Sequence, residues 1–199
     1  RGIARSFGIT VKELPLREEL GWQWDTDELG SMVSSKTKMI AVCHPNNPTG
    51  SIVTKENMHA IIEIASKNDC WVLSDEVYRG AELDGVESAS FYGTYGKTIV
   101  NAGLSKAYRL PGLRIGWTVG PEDYIKRAWA FHDYTSISIA YHSDWVASRI
   151  LETERRKQIL DGTKAHLNQN MNTLVDWVSA CDNKLSLSPP EAGAIAFVR

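Results

Sequence analysis

The sequence predicts an α/β fold, and three observations carry this. Short apolar runs at Met39–Cys43, Trp71–Leu73, Thr98–Val100 and Ile115–Val119 are continuous rather than alternating, the pattern of strands covered on both faces. Between the first two runs, Met58, Ile61, Ile62 and Ala65 recur at helical spacing. Strand, helix and strand together occupy about 30 residues, the size of a βαβ unit. The right-handed crossover of such a unit brings both strand ends to one edge, which puts Asn47 and Asp75 on one rim.

Each element has a local reason. Ile9–Leu14 alternates apolar and polar residues and reads as a strand. Trp22 and Trp24 follow in a loop, where packing is the commoner role for such rings. Asp25 or Thr26 suits the cap of a short helix with Asp27 and Glu28 in its first turn. After the Met39–Cys43 run, two prolines and a glycine break the chain between His44 and Gly50. Thr54 is an N-cap candidate, and the helix it starts ends near Lys67–Asn68. Glu76 and Arg79 read as a solvated pair, and 81–95 as a loop rich in Gly and Ser. Pro121 suits a helix start, with Tyr124, Ile125, Ala128 and Trp129 on its apolar face. Asp144–Leu151 reads as a helix, and Arg155 to about Ala180 as a long one, with Gly162 marking a bend. Leu185–Leu187 and Ala194–Val198 have the look of strands.

Composition narrows the function classes. The chain has 199 residues and a formal net charge of −2, with no basic block that would form a nucleic-acid footprint. No apolar run approaches the ~20 residues needed to span a bilayer, and Arg1–Arg5 carries no signal-peptide core. Cys43, Cys70 and Cys181 are odd in number and widely spaced. They read as buried free thiols in a reducing, cytoplasmic compartment, with no metal site expected.

The stretch Gly103–Trp117 organises the chain. Lys106 sits there among small residues, on a loop between two apolar runs, where α/β sheets place their sites. A lysine amine desolvated in a pocket is disfavoured as a cation, and such amines form Schiff bases with carbonyls and with pyridoxal phosphate. Arg114 offers a planar fork suited to a phosphate. Alone, a Ser-Lys pair reads as a surface lysine, His44–Gly50 as an Asn- and Pro-rich turn, and Asp75 as a turn cap.

Together these segments resemble a family. Gly103–Trp117 resembles the lysine signature of class I/II aminotransferases, the fold-type-I pyridoxal phosphate enzymes. His44-Pro45-Asn46-Asn47-Pro48-Thr49-Gly50 resembles that family's Asn-Pro-Thr-Gly loop, and Ser74-Asp75-Glu76-Val77-Tyr78 its Asp-x-x-Tyr segment. All occur in the family's order. The resemblance implies a three-layer α/β/α large domain with a mostly parallel sheet over residues 1–155, lacking its N-terminal part, and a partial smaller α/β domain over 156–199. It implies a fragment of a longer chain.

The resemblance also implies roles. Lys106 holds pyridoxal 5'-phosphate and moves the proton from the substrate Cα. Asp75 keeps the pyridine nitrogen protonated. Asn47 and Tyr78 donate to the ring's phenolic oxygen. Arg114 and Ser105 bind the phosphate. The implied activity is amino transfer between an amino acid and a 2-keto acid, in a homodimer. A lyase, decarboxylase or oxidase on the same scaffold, and a non-catalytic sensor domain of a transcription regulator, are the rival readings. Arg109 departs from the family, which commonly has a small residue there. The expectations for it are a depressed lysine pKa, a solvent position, or a clash with the phosphate geometry.

Overall fold

The computed structural model describes residues 2–182 and 184–199. After α1 (Gly2–Ser6) the chain runs without regular structure through 9–17 to a 3-10 turn at Glu18–Leu20. The strand expected at Ile9–Leu14 therefore does not form. Its alternation finds no neighbouring strand to pair with, and a strand without a ladder leaves its backbone groups to water.

Helix α2 (Thr26–Met32) is capped by Asp25, whose side chain accepts from Glu28 N. Strand β1 (Met39–Cys43) leads through the Pro-rich loop to α3 (Lys55–Lys67), where Thr54 accepts from Asn57 N. Then β2 (Trp71–Asp75) and β3 (Thr98–Gly103) follow, with β4 (Gly116–Val119) beyond the lysine loop. The sheet order is β1-β2-β3-β4, with β1, β2 and β3 parallel and β4 antiparallel to β3. The register pairs Cys43 with Asp75 and Asp75 with Asn101, so β1 and β2 end level and β3 runs two residues further to Gly103. This is the α/β fold that the apolar runs predicted, with the mostly parallel sheet that the resemblance implied.

The helices α4 (Glu122–His132), α5 (Tyr141–Ile150) and α6 (Thr153–Ser179) complete the chain. Helix α6 continues through Gly162 without interruption. The strands expected at Leu185–Leu187 and Ala194–Val198 do not form among the described residues, where isolated bridges pair Glu82 with Ala192 and Leu187 with Val198.

Two apolar clusters hold the fold. In one, Ile61, Met58 and Ala65 of α3 pack on Ile40, Val42, Val72 and Val100 of the sheet, with Phe91 and Cys70. Burying Ile61 or Val72 contributes about 1.5–3 kcal/mol each. The other lies under the lysine loop, where Leu104, Ala107, Tyr108 and Ile115 meet Ala147, Ile159, Leu160 and Leu167. The apolar face expected on α4 is not buried: the helix has no buried residue, and Trp129 is 66% exposed.

Candidate active site

The three parallel strand ends deliver the candidate residues to one edge. Beyond β1, His44 is fully buried. Its Nδ1 accepts from Val53 N at 3.1 Å, so Nε2 carries the proton and donates to Ala89 O at 2.9 Å. Burial lowers its pKa, opposed by the bond to Ala89 O. His44 thus clamps both ends of the loop that carries Asn47. Within the loop, Asn46 Nδ2 donates to Thr49 Oγ1 at 2.7 Å, and Gly50 N to Asn46 O at 2.9 Å. Asn47 Nδ2 donates to the Tyr78 hydroxyl at 3.2 Å.

Asp75 closes β2, half-buried, and its Oδ1 accepts from Val77 N at 3.2 Å. That bond is the turn-capping role read from the sequence; it leaves the second carboxylate oxygen open to another donor. Glu76 does not pair with Arg79 in solvent. It is buried and accepts from Ser74 Oγ at 3.1 Å and Phe91 N at 2.9 Å. Arg79 instead bridges to Glu87 at 3.0 Å and donates to Ser88 O at 2.7 Å. Both partners lie in the 81–95 loop, which no local signal connected to these residues.

Strands β3 and β4 approach closely at the base of the lysine loop. A Cβ on Gly116 would stand 2.9 Å from Ala102 O, and one on Gly103 3.0 Å from Ile115 O. Leu104 N bonds Ile115 O and Leu110 N bonds Leu104 O, both at 3.0 Å, so residues 105–109 form a closed turn. Lys106 projects from it, exposed rather than sealed in an apolar pocket, with Nζ 5.9 Å from the centroid of the Tyr78 ring. Ser105 is half-buried on the same turn. Arg114 lies exposed two residues before β4 with φ 54°, and its Nη1 donates to Pro111 O at 2.8 Å. Arg109, at φ 58°, turns toward α6, where a Cβ on Gly162 would be 3.3 Å from its Nη2.

A cavity of about 290 Å³ adjoins Lys106 and Tyr78. Leu167, Met171 and Leu174 of α6 and residues 193–196 form its apolar walls, with Arg109, His166 and Asn170 as polar members. The 190–193 segment was missed by sequence reasoning, and it frames the site. Gly50 O accepts from Glu191 N and Ala192 N, both at 3.0 Å, while Gly193 N donates to Ala81 O at 3.0 Å. A Cβ on Gly193 would stand 3.4 Å from the Tyr78 ring. These contacts span more than a hundred residues of sequence.

The profile described as "Aminotransferase class I and II" matches residues 1–199. The chain belongs to that family. An aromatic-amino-acid aminotransferase 2 of Thermococcus litoralis is 30% identical over 190 residues, covering 94% of this chain and 48% of the relative. A capreomycidine synthase of Streptomyces vinaceus is 26% identical over 198 residues, covering 100% of this chain and 50% of the relative. Among solved structures, a PLP-dependent aminotransferase from Streptococcus suis superposes with a TM-score of 0.91 at 32% identity, covering 99% of this chain and 51% of that one. The chain spans about half the length of the curated relatives it matches.

The donor set fits a phosphorylated pyridine aldehyde. An amine that could meet the aldehyde, a carboxylate that could meet the ring nitrogen and an amide–phenol pair that could meet the ring oxygen stand on adjacent strand ends and loops.

Proposed function

We propose that this chain carries the cofactor-binding part of a pyridoxal phosphate-dependent aminotransferase, which moves an amino group between an amino acid and a 2-keto acid. The observation that carries the reading is the Lys106 amine over the ring of Tyr78, whose hydroxyl is already bonded to Asn47. Pyridoxal phosphate supplies an electron sink that acidifies the Cα–H of a bound amino acid.

The chain's residues do the rest. Lys106 Nζ would hold the cofactor's aldehyde and is the amine that would carry the Cα proton. The Asp75 carboxylate holds a proton on the pyridine nitrogen, because a neighbouring negative charge raises that nitrogen's basicity. Asn47 and Tyr78 donate to the ring oxygen. Since Tyr78 accepts from Asn47, its own hydroxyl proton is left for that purpose. Ser105 and Arg114 hold the phosphate.

Within this reading, residues 1–155 form the large domain and 156–199 the beginning of a smaller one. The protein works as a cytoplasmic homodimer without a nucleic-acid partner. No helix among the described residues is long and apolar enough to cross a membrane. The exposed aromatic rings of α4 and α5 support a partner subunit.

The test is the full-length protein with cofactor, an amino donor and 2-oxoglutarate. Turnover should require the keto acid, and Lys106→Ala should abolish both turnover and the borohydride-reducible bond to the cofactor. Turnover without a keto acid would assign a lyase, decarboxylase or oxidase instead. A reducible bond persisting in the variant would remove Lys106 from its role.

A further inference from the structure

One face of α6 grips the chain on both sides of the Lys106–Tyr78 pair. Arg156, Leu160 and Thr163 stand at i, i+4 and i+7, one stripe of the helix. Arg156 Nε donates to the Tyr108 hydroxyl at 2.9 Å, and its Nη2 to both oxygens of Glu87 at 2.8 and 2.9 Å. Leu160 lies against Gly80, where a Cβ would stand 3.1 Å from Leu160 Cδ2. Thr163 Oγ1 lies 2.9 Å from Ala107 O, to which it donates. Glu87 also takes Arg79 Nη1 at 3.0 Å. Ala107 and Tyr108 directly follow the lysine, and Arg79 and Gly80 directly follow the tyrosine.

Apolar contacts alone would anchor the helix, and Ile159, Leu160 and Leu167 supply them. The polar members add what apolar contacts lack, a fixed slide and rotation. Charge-assisted hydrogen bonds have defined directions, and one carboxylate shared by two guanidiniums pins three segments at once. The side chains of Arg156, Glu87 and Arg79 are 33%, 30% and 34% exposed, so water screens them only partly.

We propose that the Arg79–Glu87–Arg156 bridge, with the Tyr108 hydroxyl, is a positioning device that holds the Lys106 amine in register with the Tyr78 ring. The inference rests on the reading of Lys106 as the cofactor lysine. Arg156, Glu87 and Tyr108 are positioning residues, acting through the loop they hold. The charges set an order of severity. Neutralising Glu87 leaves two guanidiniums facing each other, whereas removing Arg156 leaves a neutral Arg79–Glu87 pair.

The experiment titrates the visible absorption band of the full-length holoenzyme against pH, with thermal midpoints measured alongside. Glu87→Gln should move the titration midpoint by about half a pH unit or more. Arg156→Gln and Tyr108→Phe should each move it less. Their double variant should match Arg156→Gln alone, because both remove the same hydrogen bond. Lys157→Gln, which removes an exposed pair with Asp161 on the same helix, should leave the midpoint in place. Variants that lose thermal stability with an unmoved midpoint would reduce the bridge to scaffolding and overturn the proposal. If Glu87→Gln does not fold, Tyr108→Phe, which loses a single oxygen, decides. An unsubstituted protein with no such band at all would overturn the cofactor reading itself, and this inference with it.

Discussion

His44 is the residue whose state most directly conditions the Asn47 loop. It is buried with Nδ1 as acceptor and Nε2 as donor, an arrangement only the neutral ring satisfies. Burial lowers its pKa in the folded state, so the unfolded chain binds a proton first as pH falls. Stability from this ring is complete above the unfolded value of about 6.5 and is lost as pH drops from there toward the depressed folded value. The loss of urea resistance between about pH 7.5 and about pH 5.5 should shrink in His44→Gln. Equal losses in both proteins would show that other groups carry the acid sensitivity. Arg109 and Arg114 differ as clearly at this scale. Both are exposed, but Arg109 is turned to α6 and lines the cavity, while Arg114 stands two residues before β4. Arg114→Ala should weaken cofactor binding in the full-length protein at least tenfold, ~1.4 kcal/mol or more. Arg109→Gly should change it much less, since glycine adopts the positive φ without strain. Dissociation constants in the reverse order would give the phosphate to Arg109.

At the scale of elements, the site is a set of strand ends stapled by distant loops. Gly50 has φ 70°, and a Cβ there would come within 2.2 Å of Pro190 Cβ and 2.7 Å of Ala192 O. Gly50→Ala should destabilise the protein by about 1–3 kcal/mol through overpacking and should weaken cofactor binding by displacing Asn47. An unchanged denaturation midpoint would mean that the 190–193 staple is dispensable. The same contrast between local and distant partners explains what the sequence disclosed. The caps Asp25 and Thr54, the buried strands β1 to β3 and the Asn47–Tyr78 association were legible, because each rests on short-range chemistry or on a family motif. The burial of Glu76 was not, since its partner Phe91 N lies fifteen residues away in a loop of ordinary composition. Arg156 and Tyr108 are separated by 48 residues, and neither position signals the other. Ile9–Leu14 misled for the complementary reason. Alternation marks a surface able to join a sheet but says nothing about whether a neighbouring strand is there to receive it.

At the scale of the molecule, the exposed aromatic surface argues for association. Trp129 and Phe131 of α4, Tyr134 beyond it, and Tyr141 and Trp145 of α5 are 66%, 70%, 87%, 76% and 55% exposed. They occupy one continuous stretch of chain. Isolated exposed rings are ordinary, but a run of this kind marks an interaction face, because leaving that much aromatic surface in water costs free energy that contact recovers. A second copy of the subunit is the partner that the homodimer reading supplies. Glutamates at Trp129 and Phe131 would put charge into such a contact, where burying an unpaired carboxylate is costly. Both positions are exposed in this chain, so the packing it shows loses little. The full-length double variant Trp129→Glu/Phe131→Glu should therefore sediment as a monomer while keeping the circular-dichroism spectrum of the parent protein. A dimer that survives both substitutions would place the interface elsewhere.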